Sequence, residues 1–336
     1  MSCHLLSDQL LLTSLSQNLV ELHLTVWSNT QLNFDMDCLS GMSKLQHLHI
    51  NSKGQTRTWT TQGLFSSLTA SEGFTFLNDS MMVGPLMTAL GSLPKLTALT
   101  TSHIPGDCIE PYSTHFTALK RLVMKYSERE ASSLHIAVGL SLSSLCKLSL
   151  NNCHVVSMPV PLKNLSNLTK VSFDSCEFVL GESIWLSEAL EGATQIRSLV
   201  IDSVLRHSFP HSVCQMVGLV QLRIQYTLLS DLPNEFAQLR HLEDLDLSSN
   251  NLSCVPTVLE QMTHLRNLDL TCASDGMQLT RPLTFLSAFD NLESFYLSQR
   301  AWNSVSSFHI GELQAVLKDS FKHRLPTNKP CFLYSF

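Results

Sequence analysis

Residues 242–250 read LEDLDLSSN, that is L-x-x-L-x-L-x-x-N. The alternation of Leu245 and Leu247 predicts a short strand with both leucines on one face and Asp244 and Asp246 on the other. Asn250 falls where that strand ends. Its amide can bond backbone groups at the turn, so that stacked turns share a polar ladder. The phrase recurs on both sides. With Leu245 as marker, the equivalents are Leu22, Leu48, Phe74, Leu99, Leu122, Leu148, Val171, Leu199, Leu222, Leu268 and Phe295. The successive intervals, 26, 26, 25, 23, 26, 23, 28, 23, 23, 23 and 27 residues, span 273 residues without losing register. Periods of this length signal a solenoid, in which a turn buries its apolar face only by stacking on the next. The weakest copies are 71–79, which opens with Ser71, and 96–104, where Thr101 takes the third apolar place.

A second pattern fills the connections. Met158-Pro159, Phe209-Pro210, Leu232-Pro233 and Val255-Pro256 follow the strand turn, and apolar residues then recur every third position: Phe236, Leu239, Leu242, and Leu259, Met262, Leu265. Proline suits the first turn of a short helix, and a spacing of three places one helical or 3₁₀ face against the sheet. The combined 23-residue pattern resembles the intracellular, Ras-group type of leucine-rich repeat. That type is found in signalling scaffolds and in the sensor region of nucleotide-binding immune receptors. The resemblance covers residues 145–300 well and 19–144 loosely. It implies an α/β fold: a right-handed leucine-rich-repeat solenoid (horseshoe) of about twelve repeats, with a parallel β-sheet on the concave face and short helices or loops on the convex face. It also implies a non-enzymatic recognition surface inside the cell. In other copies the place of Asn250 is taken by Cys153, Cys176, Val204, Thr227 and Ala273.

The array is expected over 19–300. Residues 1–18 are expected to be a lead-in or partial cap, in which Ser7 could cap a short helix with Leu10, Leu11 and Leu15 on one face. Over 301–336, a helix from Ser306 carries Ile310, Leu313, Leu317 and Phe321 on one face and closes the last edge.

Composition narrows the function. With 44% hydrophobic and 15% charged residues the chain has material for a continuous core. A net charge of −6 argues against general nucleic-acid binding. The ten cysteines show no paired cluster at either end and no CxxC, so reduced, buried thiols and a reducing compartment are expected, here the cytoplasm. The N-terminal sequence has no secretory pattern, and no apolar run reaches the length of a membrane span. No nucleophile elbow, phosphate loop, HExxH or carboxylate pair is present; Gly181-Glu182-Ser183-Ile184-Trp185 lacks the second Gly of GxSxG. No catalytic residue, cofactor or metal ligand is assigned. His47 and His49 alternate on one strand and, with His23, could line a metal or pH-sensitive patch, although a solvated surface is the expected reading.

The concave face carries the functional expectation. The third, fifth, seventh and eighth residues of the phrase are expected to face solvent there, with equivalent residues of adjacent repeats about 4.8 Å apart. This stacks Arg121, Lys147 and Lys170, with Lys125 along the strand from Arg121, and sets Arg223 beside Asp246 and Asp269, with Asp244 adjoining. Like charges so close repel by roughly 1 kcal/mol even in water. Tyr126, Tyr226 and Tyr296 supply aromatic anchors, and Val123 and Val200 face the same side. A basic centre, an acidic zone and aromatics together suit a protein partner of matching charge. The expected function is an intracellular protein-interaction module, a scaffold or ligand-sensing domain. The alternatives are a receptor ectodomain outside the cell and the substrate-recognition part of a ubiquitin ligase.

Overall fold

The computed structural model describes residues 19–27, 34–35, 42–53, 59–60, 70–78, 90, 93–102, 116–125, 133–135, 142–157, 161–178, 182–204, 209–271, 289 and 291–297. The expected lead-in, the closing helix, Tyr126 and Met158-Pro159 lie outside them. Two compact units result: Met1–Leu168 with Cys176–Val179, and Thr169–Ser175 with Leu180–Phe336.

In the first unit, β1 (Glu21–Trp27), β3 (His47–Lys53), β5 (Gly73–Asn78), β6 (Ala98–Ser102), β7 (Arg121–Lys125) and β9 (Lys147–Asn151) lie side by side in chain order, all parallel. In the second, β11 (Lys170–Asp174), β13 (Ser198–Asp202), β14 (Gln221–Gln225), β15 (Asp244–Asp246), β16 (Asn267–Leu270) and β17 (Ser294–Leu297) do the same. The registers pair marker with marker: Leu22 with Leu48, Phe74, Leu99, Leu122 and Leu148 in turn, then Val171 with Leu199, Leu222, Leu245, Leu268 and Phe295. Every marker is buried. A slip of one residue would turn these side chains out to solvent, so burial itself fixes the register.

The spacing of three has a direct backbone cause. The amides of Phe236, Leu239 and Leu242 donate to the carbonyls of Pro233, Phe236 and Leu239 at 3.0–3.1 Å. Those of Leu259, Met262 and Leu265 do the same onto Pro256, Leu259 and Met262. Successive i→i+3 bonds eclipse side chains three apart and drive one row of apolar groups inward. Pro210, Pro233 and Pro256 stand immediately before the 3₁₀ segments His211–Gln215, Asn234–Gln238 and Thr257–Gln261. Helix α1 (Glu182–Leu190) buries Trp185 edge-on against Phe173 at 5.8 Å. In the first unit, short strand pairs also lie between the main strands. There β2 (Phe34–Asp35) pairs with β4 (Trp59–Thr60), and β8 (Ser133–His135), β10 (His154–Ser157) and β12 (Glu177–Phe178) form a further parallel ladder.

The polar ladder at the turns is present. Asn250 Nδ2 donates to the carbonyls of Ile224 (2.6 Å) and Leu247 (2.8 Å), while Oδ1 accepts from the amide (3.1 Å) and hydroxyl (2.8 Å) of Thr227. In the equivalent slots the Cys153 thiol reaches the Met124 carbonyl at 3.9 Å and the Asn151 carbonyl at 3.4 Å, and the Cys176 thiol the Leu150 carbonyl at 3.4 Å. A hydrogen bond with the neighbouring Cys176, and then burial, push the Cys153 thiol far up, so it stays protonated and able to donate. The residue just before the slot turns through positive φ: Asn152 (53°), Ser175 (52°), Ser203 (55°), Tyr226 (49°) and Ser249 (58°). Asn and Ser tolerate this left-handed region because short polar side chains bond locally there; Tyr does not share that advantage.

Candidate functional site

Alternation puts two columns of side chains on the solvent face of each sheet. In the first unit one column runs Glu21, His47, Gly73, Ala98, Arg121, Lys147, and the other His23, His49, Thr75, Thr100, Val123, Ser149. Arg121 and Lys147 are thus direct neighbours, both exposed, with exposed Lys125 two residues beyond half-buried Val123. None of the three cations forms an ion pair with another described residue.

At the other end of these columns, His23 Nε2 lies 2.9 Å and His49 Nε2 3.6 Å from the same oxygen, Oε1 of Glu21. The two imidazoles stack with centroids 4.3 Å apart. The hydrogen bond from His23 holds the Glu21 carboxyl below its usual range, and partial burial holds His49 below the usual imidazole range. His47 lies over Gly73, where an added Cβ would come within 2.6 Å of its ring.

In the second unit the columns run Lys170, Ser198, Gln221, Asp244, Asn267, Ser294 and Ser172, Val200, Arg223, Asp246, Asp269, Tyr296. The acidic zone exists as expected, but neighbouring strands largely occupy it. Arg223 Nε pairs with Asp246 Oδ2 at 3.0 Å, and the same oxygen accepts from Gln225 at 2.9 Å. Asp244 accepts from Gln221 at 2.8 Å and from the Asn267 amide on the other side. Asp269 accepts from the Thr271 amide at 2.8 Å, and burial pushes its carboxyl up. Burial likewise raises Asp202. The seventh place is open at Lys125 and Thr271 but closed at Ser248, contrary to expectation there. Ser248 is buried because Gln225 reaches across from the adjacent strand and donates to its hydroxyl at 2.6 Å. Lys170 is exposed, while Val200 and Tyr296 are half-buried. Tyr226 is 59% exposed and Leu228 51%, and both have positive φ.

A feature the periodicity did not signal is a cleft of about 450 Å³ in the second unit, lined by Arg197, Arg240, His241, Glu243, His264 and Arg266 among others. Arg266 bridges Glu243 (3.1 Å) and Glu293 (3.0 Å), and Arg197 donates to the Gly218 carbonyl at 2.6 Å. These residues occupy the variable places just before the strands, where the repeat phrase makes no demand.

The parallel strands, the marker registers and the amide ladder are the internal geometry of one repeat class, and the family model for the leucine rich repeat matches residues 217–272. The fold is that of the leucine-rich repeat. Among solved structures it is similar to a leucine-rich-repeat protein of Leptospira interrogans, LIC12759, at 17% identity and a TM-score of 0.62, over 93% of this chain and 74% of that one. An internalin of Listeria monocytogenes, InlF, matches at 17% identity and 0.52, over 89% and 86%. Toll of Drosophila, solved in complex with Spatzle, matches at 16% identity and 0.58, over 91% of this chain and 43% of that chain. At these identities the likeness is one of fold. No curated protein matches the chain in sequence. The leucine-rich-repeat fold generally serves protein–protein interaction. No helix among the described residues is long and apolar enough to cross a membrane.

Proposed function

We propose that this protein is an intracellular, non-catalytic docking module that takes an acidic protein partner on the solvent face of its sheet. The observation that carries the reading is the register pair Arg121–Lys147: two like charges directly opposite on adjacent strands, with Lys125 alongside and no carboxylate paired to them among the described residues. Such a pair works against the sheet, whereas an incoming carboxylate surface would relieve it. In the second unit, Arg223, Asp244, Asp246 and Asp269 are already engaged with neighbours, and Tyr226 offers the aromatic contact. Lys170 is an exposed cation on the solvent face of the second unit. The described cysteines, Cys146, Cys153, Cys176, Cys214 and Cys254, are all unbridged, which supports a reducing compartment.

The test is affinity capture with mass spectrometry from reduced lysate, comparing the wild type with the triple variant Arg121→Glu, Lys147→Glu, Lys170→Glu. Partners lost from the variant, with its thermal stability retained, support the docking face. Identical partner sets overturn it.

A further inference from the structure

We propose that Glu21, His23 and His49 form a binding site for a divalent transition-metal ion, zinc in the first instance, on the solvent face of the first unit. The strands bring the three together. Glu21 and His23 are two residues apart on β1 and so share a face; His49 on β3 is the register partner of His23. Their donor atoms all lie within 4.8 Å of one another. A tetrahedral ion with bonds of about 2.0–2.1 Å needs donors roughly 3.3 Å apart. The two nitrogen-to-carboxylate separations, 2.9 and 3.6 Å, straddle that spacing. The stacked rings, 6° from parallel, bring both Nε2 atoms to one carboxylate oxygen; because a bound ion lies in the plane of each imidazole, one exposed ring turns out of the stack to close the third side.

The donor chemistry selects the ion. Two imidazole nitrogens and one carboxylate oxygen suit zinc and its copper and nickel neighbours, whereas calcium and magnesium call for oxygen alone. Three protein ligands leave a coordination position for water or for a partner's side chain. The site is reachable: His23 is 60%, Glu21 55% and His49 34% exposed. His47 is carried away over Gly73, so the donor set is these three.

The experiment titrates the whole chain, reduced and stripped of metal, with zinc chloride by calorimetry, and with cobalt(II) by visible absorption. The expected result is one zinc site abolished by His23→Ala or His49→Ala, and weakened about tenfold or more by Glu21→Gln, since even residues behind the ligands cost that much. The cobalt spectrum should show nitrogen and oxygen ligation without thiolate charge-transfer bands. His49→Gln, with circular dichroism and melting temperature unchanged, separates lost binding from lost folding. Zinc binding that persists equally in all variants, thiolate bands that place the ion at the cysteines, or no uptake by the wild type would each overturn the proposal.

Discussion

Replacing Asn250 by alanine removes four hydrogen bonds at once, two given by its Nδ2 to the carbonyls of Ile224 and Leu247 and two received by its Oδ1 from Thr227. All are buried, so water cannot step in without opening the turn. A typical net hydrogen bond contributes about 0.5–1.5 kcal/mol, and a buried group left unpaired costs about 1–3 kcal/mol. Because the four share one side chain they do not add independently. The expected loss is about 3 kcal/mol, of the order of a large core truncation. Urea unfolding followed by circular dichroism reads it as a lower midpoint at unchanged slope. Since repeat arrays can unfold in segments, hydrogen exchange at the Thr227 amide provides the local reading, and its protection should fall. The slots at Cys153 and Cys176 supply a graded control. A thiol there makes one or two weak bonds to the same kind of carbonyl, so Asn250→Cys should fall between wild type and alanine. An alanine variant within about 0.5 kcal/mol of wild type would refute the ladder as a source of stability, that being the ordinary scatter of surface changes.

The Thr101 hydroxyl is buried with no hydrogen-bond partner among the described residues, so Thr101→Val, nearly the same in shape, should stabilise by about 1 kcal/mol, and a higher melting temperature would show it. Tyr226→Asn should also stabilise, by a few tenths to about 1 kcal/mol, because Asn fits the left-handed turn better. The same change should weaken partner capture; unchanged capture would remove Tyr226 from the docking surface. For Asp269, burial raises the folded-state pKa above the unfolded value of about 3.9. The folded form then holds its proton longer, so stability falls as pH rises from that value through the folded pKa and stays lower at neutral pH. Asp269→Asn keeps an acceptor for the Thr271 amide, so it should match wild type in acid and exceed it near pH 7; paired melts at both pH values test this, and a difference independent of pH would count against it.

The twelve marker positions were readable because each repeat has to solve the same burial problem with the same residue types. The exact registers followed, since one face is apolar and the other is not. Asn250 was readable for a similar reason: a lone amide after an apolar alternation has few other uses. What escaped was set by reach across strands. Asp244 and Asp246 appear free in the phrase, yet Gln221 and Gln225 from the previous turn engage them, and Gln225 also covers Ser248. The β8–β10–β12 ladder escaped because its segments, such as His154–Ser157, carry only two to four residues, too few for a period to show. His23 and His49 were visible as alternating histidines, but nothing in the spacing indicated that Glu21 would turn its carboxylate back toward them.

The invariance of register has a consequence for how this chain can change length. The intervals between markers run from 23 to 28 residues, while the pairing of marker with marker does not shift at all. Insertions and deletions are therefore absorbed in the arcs between strands. A single residue lost inside the phrase itself would invert one strand and expose its leucines. A duplicated stretch that starts and stops at the same place in two arcs would carry its own marker, turn and ladder donor, and would slot in as a complete new rung. Gene rearrangement can thus extend or shorten the array in whole turns, lengthening the binding face without redesigning any existing contact.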